Sequence, residues 1–361
     1  MANSYGKLFR ISLFGESHSE AIGVVIDGVP SGVELDMNEI MFEMGRRAPG
    51  KNAFSTPRAE SDAPEILSGI FKGKTTGTPI CAVIRNTNTR SKDYTPEILR
   101  PSHADYSGKL RYNGCEDYRG GGHFSGRLTA PVVFAGAIAK QILKKENIDI
   151  FAHIKNIGKV YDDCIDIANP DIDALKNLKW ETLPFINKDK AKSAEEEILA
   201  ARSDADSIGG SIEAIVSGVP GGVGSPFFES VESRISSMLF SIPAVKAVEF
   251  GIGTEFSELL GSQANDSFVV ENDTIKTKTN NNGGINGGIT NGMPIVLTAT
   301  IKPTPSIGRE QETVNINTKK NVKLKIQGRH DPCIVQRAVP VVEAALAITV
   351  LDLILEAKTY A

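Results

Sequence analysis

Residues 338–355, AVPVVEAALAITVLDLIL, form an almost unbroken apolar run. A helix hydrophobic on every side has two places to go, a lipid bilayer or the middle of a protein core. Glu343 and Asp352 decide between them, because they cut the uncharged centre to residues 344–351. That is far short of the roughly 20 residues a bilayer requires. The segment therefore reads as a buried helix. With 361 residues, 40% of them hydrophobic, the chain has material for a core large enough to hold it.

Caps and apolar periodicity place further elements. Asp36 followed by Glu39 opens a helix that runs through Met44 and ends at Arg46 and Arg47, where cations suit the negative end of the helix dipole. Thr129 and Pro131 open a second helix, VVFAGAIAKQILKK, rich in small residues that permit close packing. Ser225 and Pro226 open a third, with Phe227, Phe228, Val231, Ile235, Met238 and Leu239 predicted on one face. Strands are predicted at AIGVVID, SIEAIVSG, KAVEFGIG and PIVLTATIK. Two of them run into nearly the same turn, GVPSGV at 28–33 and GVPGGV at 218–223. Either Pro and Gly are serving common turn chemistry twice, or the fold is pseudo-symmetric. No Gly/Ser/Pro linker divides the chain, and the polar stretch from about 160 to 205 reads as a peripheral helical insertion. The expectation is a single α+β domain over residues 1–361.

A net charge of -4 gives no electrostatic case for nucleic acid or membrane partners, so any basic site is local. Cys81, Cys115, Cys164 and Cys333 are scattered without CxxC spacing, which argues against a zinc site or a disulfide framework. No metal is expected. The N-terminal segment has no signal-peptide core, and a cytoplasmic location is expected.

Four of the five histidines sit in loop-like surroundings: His18 in GESHS, His103 in RPSHAD, His123 in GGGHFSGR and His330 in QGRHDP. His153, in an alternating strand pattern, reads as structural. Arginines cluster in the same segments: Arg46 and Arg47, Arg119 and Arg127 around three consecutive glycines, Arg329 and Arg337 around HDPCIVQ. Isolated arginines default to surface ion pairs, but clusters beside glycine and histidine favour an anionic ligand. A second glycine-rich stretch, NNNGGINGGITNG, is either a hairpin or a source of free backbone amides. Neither glycine segment matches a P-loop or a dinucleotide-binding fingerprint. Together these features point to a polyanionic small molecule and proton transfer.

The segments FGESHS, GRRAPGKNAFSTPR, RPSHADY, DYRGGG, SIPAVKAVEFGIG, NNGGINGGITNG, KPTPSI and GRHDPC, in this order, closely resemble the chorismate synthase family. The resemblance implies helices sandwiched between two antiparallel sheets, a homotetramer, and a lyase of the shikimate pathway, which leads to the aromatic amino acids. The family's reaction is an anti-1,4-elimination of phosphate and the C6 hydrogen from 5-enolpyruvylshikimate 3-phosphate. It requires reduced FMN without net redox change. His18 corresponds to the acid at the phosphate oxygen, His103 to the group that protonates the flavin near N1, and Asp331 to the carboxylate that assists loss of the C6 hydrogen by way of flavin N5. Ser17 and Ser125 correspond to hydrogen-bonding helpers. FMN contacts are implied at His123, Phe124, Ser125, Pro243, Ala244, Gly287, Lys302, Pro303, Thr304, Pro305, Ser306 and Arg329. Arg46, Arg47, Arg119, Arg127 and Arg337 are the candidates for holding the substrate's phosphate and carboxylates.

The chain departs from the family pattern in two places. RGGGHFSGRLT puts His123, Phe124 and Leu128 where relatives commonly have arginine, serine and glutamate. Ala48 and Ala53 stand where relatives often have arginine, which weakens any NADPH-driven flavin reduction by the chain itself. The expectation is a monofunctional enzyme supplied with reduced flavin by an external reductase. The rival readings are an FMN-dependent oxidoreductase and an inactive phosphate- or nucleotide-binding protein.

Overall fold

The structure, a computed structural model, describes residues 3–50, 62–87, 95–326 and 331–360. Ala53, Arg329 and His330 lie outside the described residues. The first half runs β1 (Ser4–Tyr5), β2 (Arg10–Gly15), β3 (Ala21–Asp27), α1 (Met37–Arg47), β4 (Glu65–Ser68), β5 (Ile70–Phe71), β6 (Lys74–Thr75), β7 (Ile80–Arg85), α2 (Asp105–Arg111) and α3 (Thr129–Lys144). The second half begins with β8 (Asp149–Ile157), β9 (Val160–Tyr161), α4 (Ile172–Leu178), α5 (Lys188–Ser203), β10 (Gly210–Ser217), α6 (Val231–Ser241) and β11 (Val245–Phe250). It continues with α7 (Gly261–Ala264), β12 (Phe268–Glu271), β13 (Thr274–Thr277), β14 (Ile285–Asn286), β15 (Ile289–Thr290), β16 (Ile295–Ile301), β17 (Glu310–Asn315), β18 (Lys320–Lys325) and α8 (Val335–Tyr360).

Two five-stranded antiparallel sheets enclose the long helices. One has the order β1-β2-β3-β7-β4, the other β11-β16-β10-β8-β9. Helix α3 lies mainly against β2, β3 and β7 and also touches β8, α8 lies against β8 and β10, and the two helices pack on each other between the sheets. The small residues of α3 permit this: a Cβ built on Gly136 would lie 2.3 Å from the Cβ of Ala344. The apolar stretch is thus a core helix, buried from Val335 through Ile354 except at Arg337, which is half-buried.

The two acidic residues that interrupt the apolar run are each compensated. Arg46 and Lys140 both bond the Glu343 carboxylate, each at 2.5 Å, tying α1 and α3 to α8. Asp352 accepts backbone N–H groups from Lys7, Leu8 and Phe9 at 2.7–3.1 Å and pairs with Arg234. A buried carboxylate without such partners would cost several kcal/mol, so these contacts are what allow the helix to carry charge at all.

The duplicated turn marks a pseudo-symmetric fold. In one half, Thr75 Oγ1 donates to Pro30 O at 2.6 Å and accepts from Val33 N at 2.9 Å. In the other, Thr290 Oγ1 donates to Pro220 O at 2.6 Å and accepts from Val223 N at 2.9 Å. Each turn follows the central strand of its sheet and leads to a helix, α1 or α6, capped by a side chain, Asp36 or Ser230.

The third helix differs from the prediction. It begins at Val231 with Ser230 as its cap, five residues after Pro226, and Ser225 and Pro226 precede it in irregular chain. Val231, Ile235, Met238 and Leu239 are buried as expected, but Phe227 and Phe228 are 85% and 91% exposed. Ser230 accepts the Ser233 N–H at 3.0 Å, so the local cap overrides the weaker Ser-Pro signal upstream. The polar stretch from 160 to 205 forms β9, α4 and α5, of which Ala194 and Ile198 reach the main core.

Candidate active site

The glycine triplet is held in a conformation that side chains disfavour: φ is 61° at Gly120, 85° at Gly121 and 53° at Gly122. Ordinary residues rarely enter this left-handed region. Lacking side chains, the glycines let two histidines approach the main chain. A Cβ on Gly120 would sit 2.5 Å from His18 Nε2 and 2.7 Å from Ser17 Oγ, and one on Gly121 would sit 3.2 Å from His103 Nε2. Ser17 N donates to Gly122 O at 3.0 Å, which fixes the buried segment after β2 to the triplet. Ser125 follows at once, with its Cβ 3.8 Å from the same Gly121 position. His18, Ser17, His103 and Ser125, brought from three separate stretches of sequence, therefore share one loop.

The segment after β16 joins them. Lys302 Nζ donates to Ser102 O at 2.7 Å, and Lys302 N donates to Ala244 O at 2.9 Å, linking the 243–244 and 302–306 segments to the His103 loop. Thr304 O accepts from Ser207 Oγ at 2.7 Å, while Thr304 Oγ1 is buried with no hydrogen-bond partner among the described residues. Gly287 faces open space, with nothing within 4 Å of an added Cβ, whereas Gly283, Gly284 and Gly288 of the same stretch pack tightly on their own protein. The hairpin β14–β15 forms the middle of that glycine stretch.

The arginines divide. Arg47 Nη1 donates to Asp62 Oδ2 at 2.8 Å and Arg127 Nη1 pairs with Asp62 Oδ1, so one fully buried carboxylate bridges two buried guanidiniums. Burial pushes the Asp62 carboxyl up, but the guanidiniums of Arg47 and Arg127 outweigh it and hold it below the usual carboxylate range. Arg47 Nη2 also donates to Gly126 O at 2.6 Å, and Arg127 Nε donates to Asn86 Oδ1 at 3.0 Å. Arg337 joins through Arg47 O, at 3.0 Å from its Nε, and its Nη1 lies 2.7 Å from Asp331 Oδ2. Arg47, Arg127, Arg337 and Asp331 thus form one connected cluster, attached to the glycine loop through Arg127 N and Ser125 Oγ at 3.2 Å.

Arg46 turns the other way. It belongs to the Glu43–Glu343–Lys140 cluster within the helix layer, so it leaves the candidate anion site. Arg119 forks onto Asp117 with two bonds of 2.8 Å and is half exposed. His123 spends both ring nitrogens away from the other histidines, on Gly15 O at 2.8 Å and Asn3 Oδ1 at 3.2 Å. Phe124 stacks toward Tyr112, 6.1 Å between ring centres, and against Gly108. Pro243 is exposed, and Pro303, Pro305 and Ser306 complete the run that Lys302 anchors. Asp62, Asn86, Arg100 and Asp105 were not anticipated as site residues. Asp105 lay in view, two residues beyond His103, whereas nothing local marks Asp62, whose role is defined only by the two distant arginines it joins.

A cavity of about 460 Å³ adjoins this loop and is lined in part by Arg100, Asp105, Tyr118, Gly121 and Phe124. A family model for chorismate synthase matches residues 9–355. The chain belongs to the chorismate synthase family. Chorismate synthase of Methanocaldococcus jannaschii is 45% identical over 99% of this chain and 97% of that protein. The enzyme of Thermococcus kodakarensis is 46% identical, covering 98% of each. A crystal structure of a chorismate synthase superimposes with a TM-score of 0.78 at 30% identity, covering 97% of this chain and 93% of the other. The chorismate synthase fold, with helices between two antiparallel sheets, is therefore the fold of this chain, and the family is one of lyases that depend on a flavin.

Proposed function

We propose that this chain converts 5-enolpyruvylshikimate 3-phosphate to chorismate and inorganic phosphate, by anti-1,4-elimination, as one domain spanning residues 1–361. The observation that carries the reading is the approach of His18 and His103 to the bare backbone of Gly120 and Gly121, beside Ser17 and Ser125. Proton donors around a phosphate-bearing ring are what this elimination needs, because the leaving oxygen develops charge as the C3–O bond breaks.

His18 donates to the departing phosphate, with Ser17 Oγ beside it as a hydrogen-bonding helper. Asp331, oriented by Arg337, receives the proton lost from the C6 side of the ring. Arg337, Arg47 and Arg127 supply the positive field for a substrate with one phosphate and two carboxylates, and Arg119 lies at the loop's entry. Arg329 remains a proposed flavin contact from the resemblance alone.

The residues fit a flavin. Thr304 Oγ1 is a buried polar atom in need of a partner, Gly287 leaves its side open to close approach, and Lys302 brings a cation to the His103 loop. Ser125, Ala244 and the run Lys302–Ser306 would hold it, with His103 keeping a proton at its edge. His123 and Phe124 contribute backbone rather than side chain. A reduced flavin held there would lend electron density to the substrate ring with no net redox change. We further propose a cytoplasmic homotetramer that draws reduced flavin from a separate reductase.

The test is anaerobic: purified protein, dithionite-reduced FMN and excess substrate, with chorismate absorbance and phosphate followed together. Many turnovers per flavin are expected. One product per reduced flavin would mark an oxidoreductase, and binding without phosphate release an inactive protein.

A further inference from the structure

His103 is held on three sides. Its Nε2 edge meets Gly121, where any side chain would intrude on the ring at 3.2 Å. The backbone just before it is tied down by Lys302 Nζ on Ser102 O, and Ser102 itself has φ of 57°. Its Nδ1 lies 2.7 Å from Asp105 Oδ1, at ion-pair distance though off the line of an ideal hydrogen bond. Nδ1 is buried and has no other hydrogen-bond partner among the described residues.

Asp105 is itself immobilised. Arg100 grips it with three donors: backbone N at 2.9 Å, Nε at 2.8 Å and Nη2 at 2.6 Å. Burial pushes the Asp105 carboxyl up, but the adjoining His103 ring and the Arg100 guanidinium hold it well below the ordinary range, so it is an anion at any physiological pH. Its Oδ2 accepts two bonds from Arg100, and Oδ1 is shared between Arg100 Nη2 and the imidazole.

We propose that Asp105, clamped by Arg100, is the positioning residue that sets the tautomer and ring orientation of His103. It keeps the proton on Nδ1 and presents Nε2 toward Gly121 and the ligand side of the loop. The inference rests on the reading of His103 as a functional group. An imidazole has two chemically different nitrogens, and which one faces the ligand is decided by the partner of the other. A fixed anion at Nδ1 makes Nε2 the nitrogen that exchanges a proton with the ligand, and stabilises the ring whenever it is charged. Without it the ring is free to flip about its bond to Cβ or to carry its proton on Nε2, which then has the wrong role.

The experiment uses the full chain labelled with ¹⁵N-histidine, free of flavin and substrate, with long-range ¹H–¹⁵N correlations assigned by loss of the His103 signals in His103→Gln. At a pH where the ring is neutral, His103 in the unsubstituted protein is expected to carry its hydrogen on Nδ1. In Asp105→Asn the signals should shift to the Nε2–H form or to an average. The same variant should lose turnover by about tenfold or more with little change in KM for the phosphorylated substrate, as when other orienting carboxylates are removed. Arg100→Gln, which leaves the carboxylate but removes its anchor, should show a weaker tautomer preference and a smaller loss. A neutral His103 protonated on Nε2 in the unsubstituted protein, or an Asp105→Asn variant with unchanged tautomer, overturns the proposal. Because the resonance measurement needs neither flavin nor substrate, its outcome stands apart from whether chorismate is formed.

Discussion

Gly120→Ala adds one methyl group where the loop has least room for it. Two costs follow. Gly120 has φ of 61°, and an L-residue in that region loses roughly 1–2 kcal/mol of stability. The new Cβ would lie 2.5 Å from His18 Nε2 and 2.7 Å from Ser17 Oγ, whereas carbon contacts settle near about 3.5 Å. The imidazole must therefore retreat by about 1 Å. A displacement of that size in a reacting group costs about 10²-fold in rate. Gly126 provides the matched control, six residues along the same loop: a Cβ there meets nothing within 4 Å, and its φ is not positive. In the anaerobic chorismate assay, Gly120→Ala should lose about two orders of magnitude in kcat while melting only a few degrees lower. Gly126→Ala should be close to the unsubstituted protein in both. If Gly120→Ala turned over normally, or if both variants fell equally, the glycine loop would not be what positions His18.

Three further perturbations probe the scaffold. His153 is buried with Nδ1 3.0 Å from Asp162 and Nε2 3.1 Å from Glu213; burial alone would lower its pKa, but the two carboxylates raise it above 6.5. A raised pKa gives stability that is complete below the unfolded value and lost as pH rises through the folded one, so melting temperature should fall above pH ~6.5 and His153→Gln should flatten that fall. Glu343→Gln strips the buried carboxylate that Arg46 and Lys140 share, and chemical denaturation should show a loss of about 3–5 kcal/mol. Burial raises the Glu343 pKa but the two cations bring it down to about 2, so its contribution should persist to strongly acid pH and disappear only as pH falls from about 4.5 toward 2. Thr75→Ala and Thr290→Ala each orphan a buried Val N–H and should cost about 1–3 kcal/mol apiece, and clearly unequal losses would contradict the equivalence of the two turns.

Much of this protein is written locally. Periodicity and length identify the core helix, Asp36 caps α1, β-branched runs give the central strands, and the repeated GVPxGV turns announce the two-fold plan that Thr75 and Thr290 complete. The glycine triplet likewise declares by composition alone that something must approach its backbone. The Ser225–Pro226 signal misplaced the start of α6: Ser230 caps it, and Phe227 and Phe228 lie outside the helix they were expected to join.

Charge pairing was decided only by the assembled fold. Arg46 and Arg47 are neighbours in sequence, yet a helix turns successive residues about 100° apart. One guanidinium therefore enters the helix layer with Glu343, and the other meets Asp62 near the glycine loop. His123 and His103 look alike as loop histidines, but one is spent on Gly15 O and Asn3 and the other faces Gly121. Apolar pattern is a property of each segment and survives reading in one dimension. The partner of a buried charge comes from wherever the chain happens to return, and only the packed structure can name it.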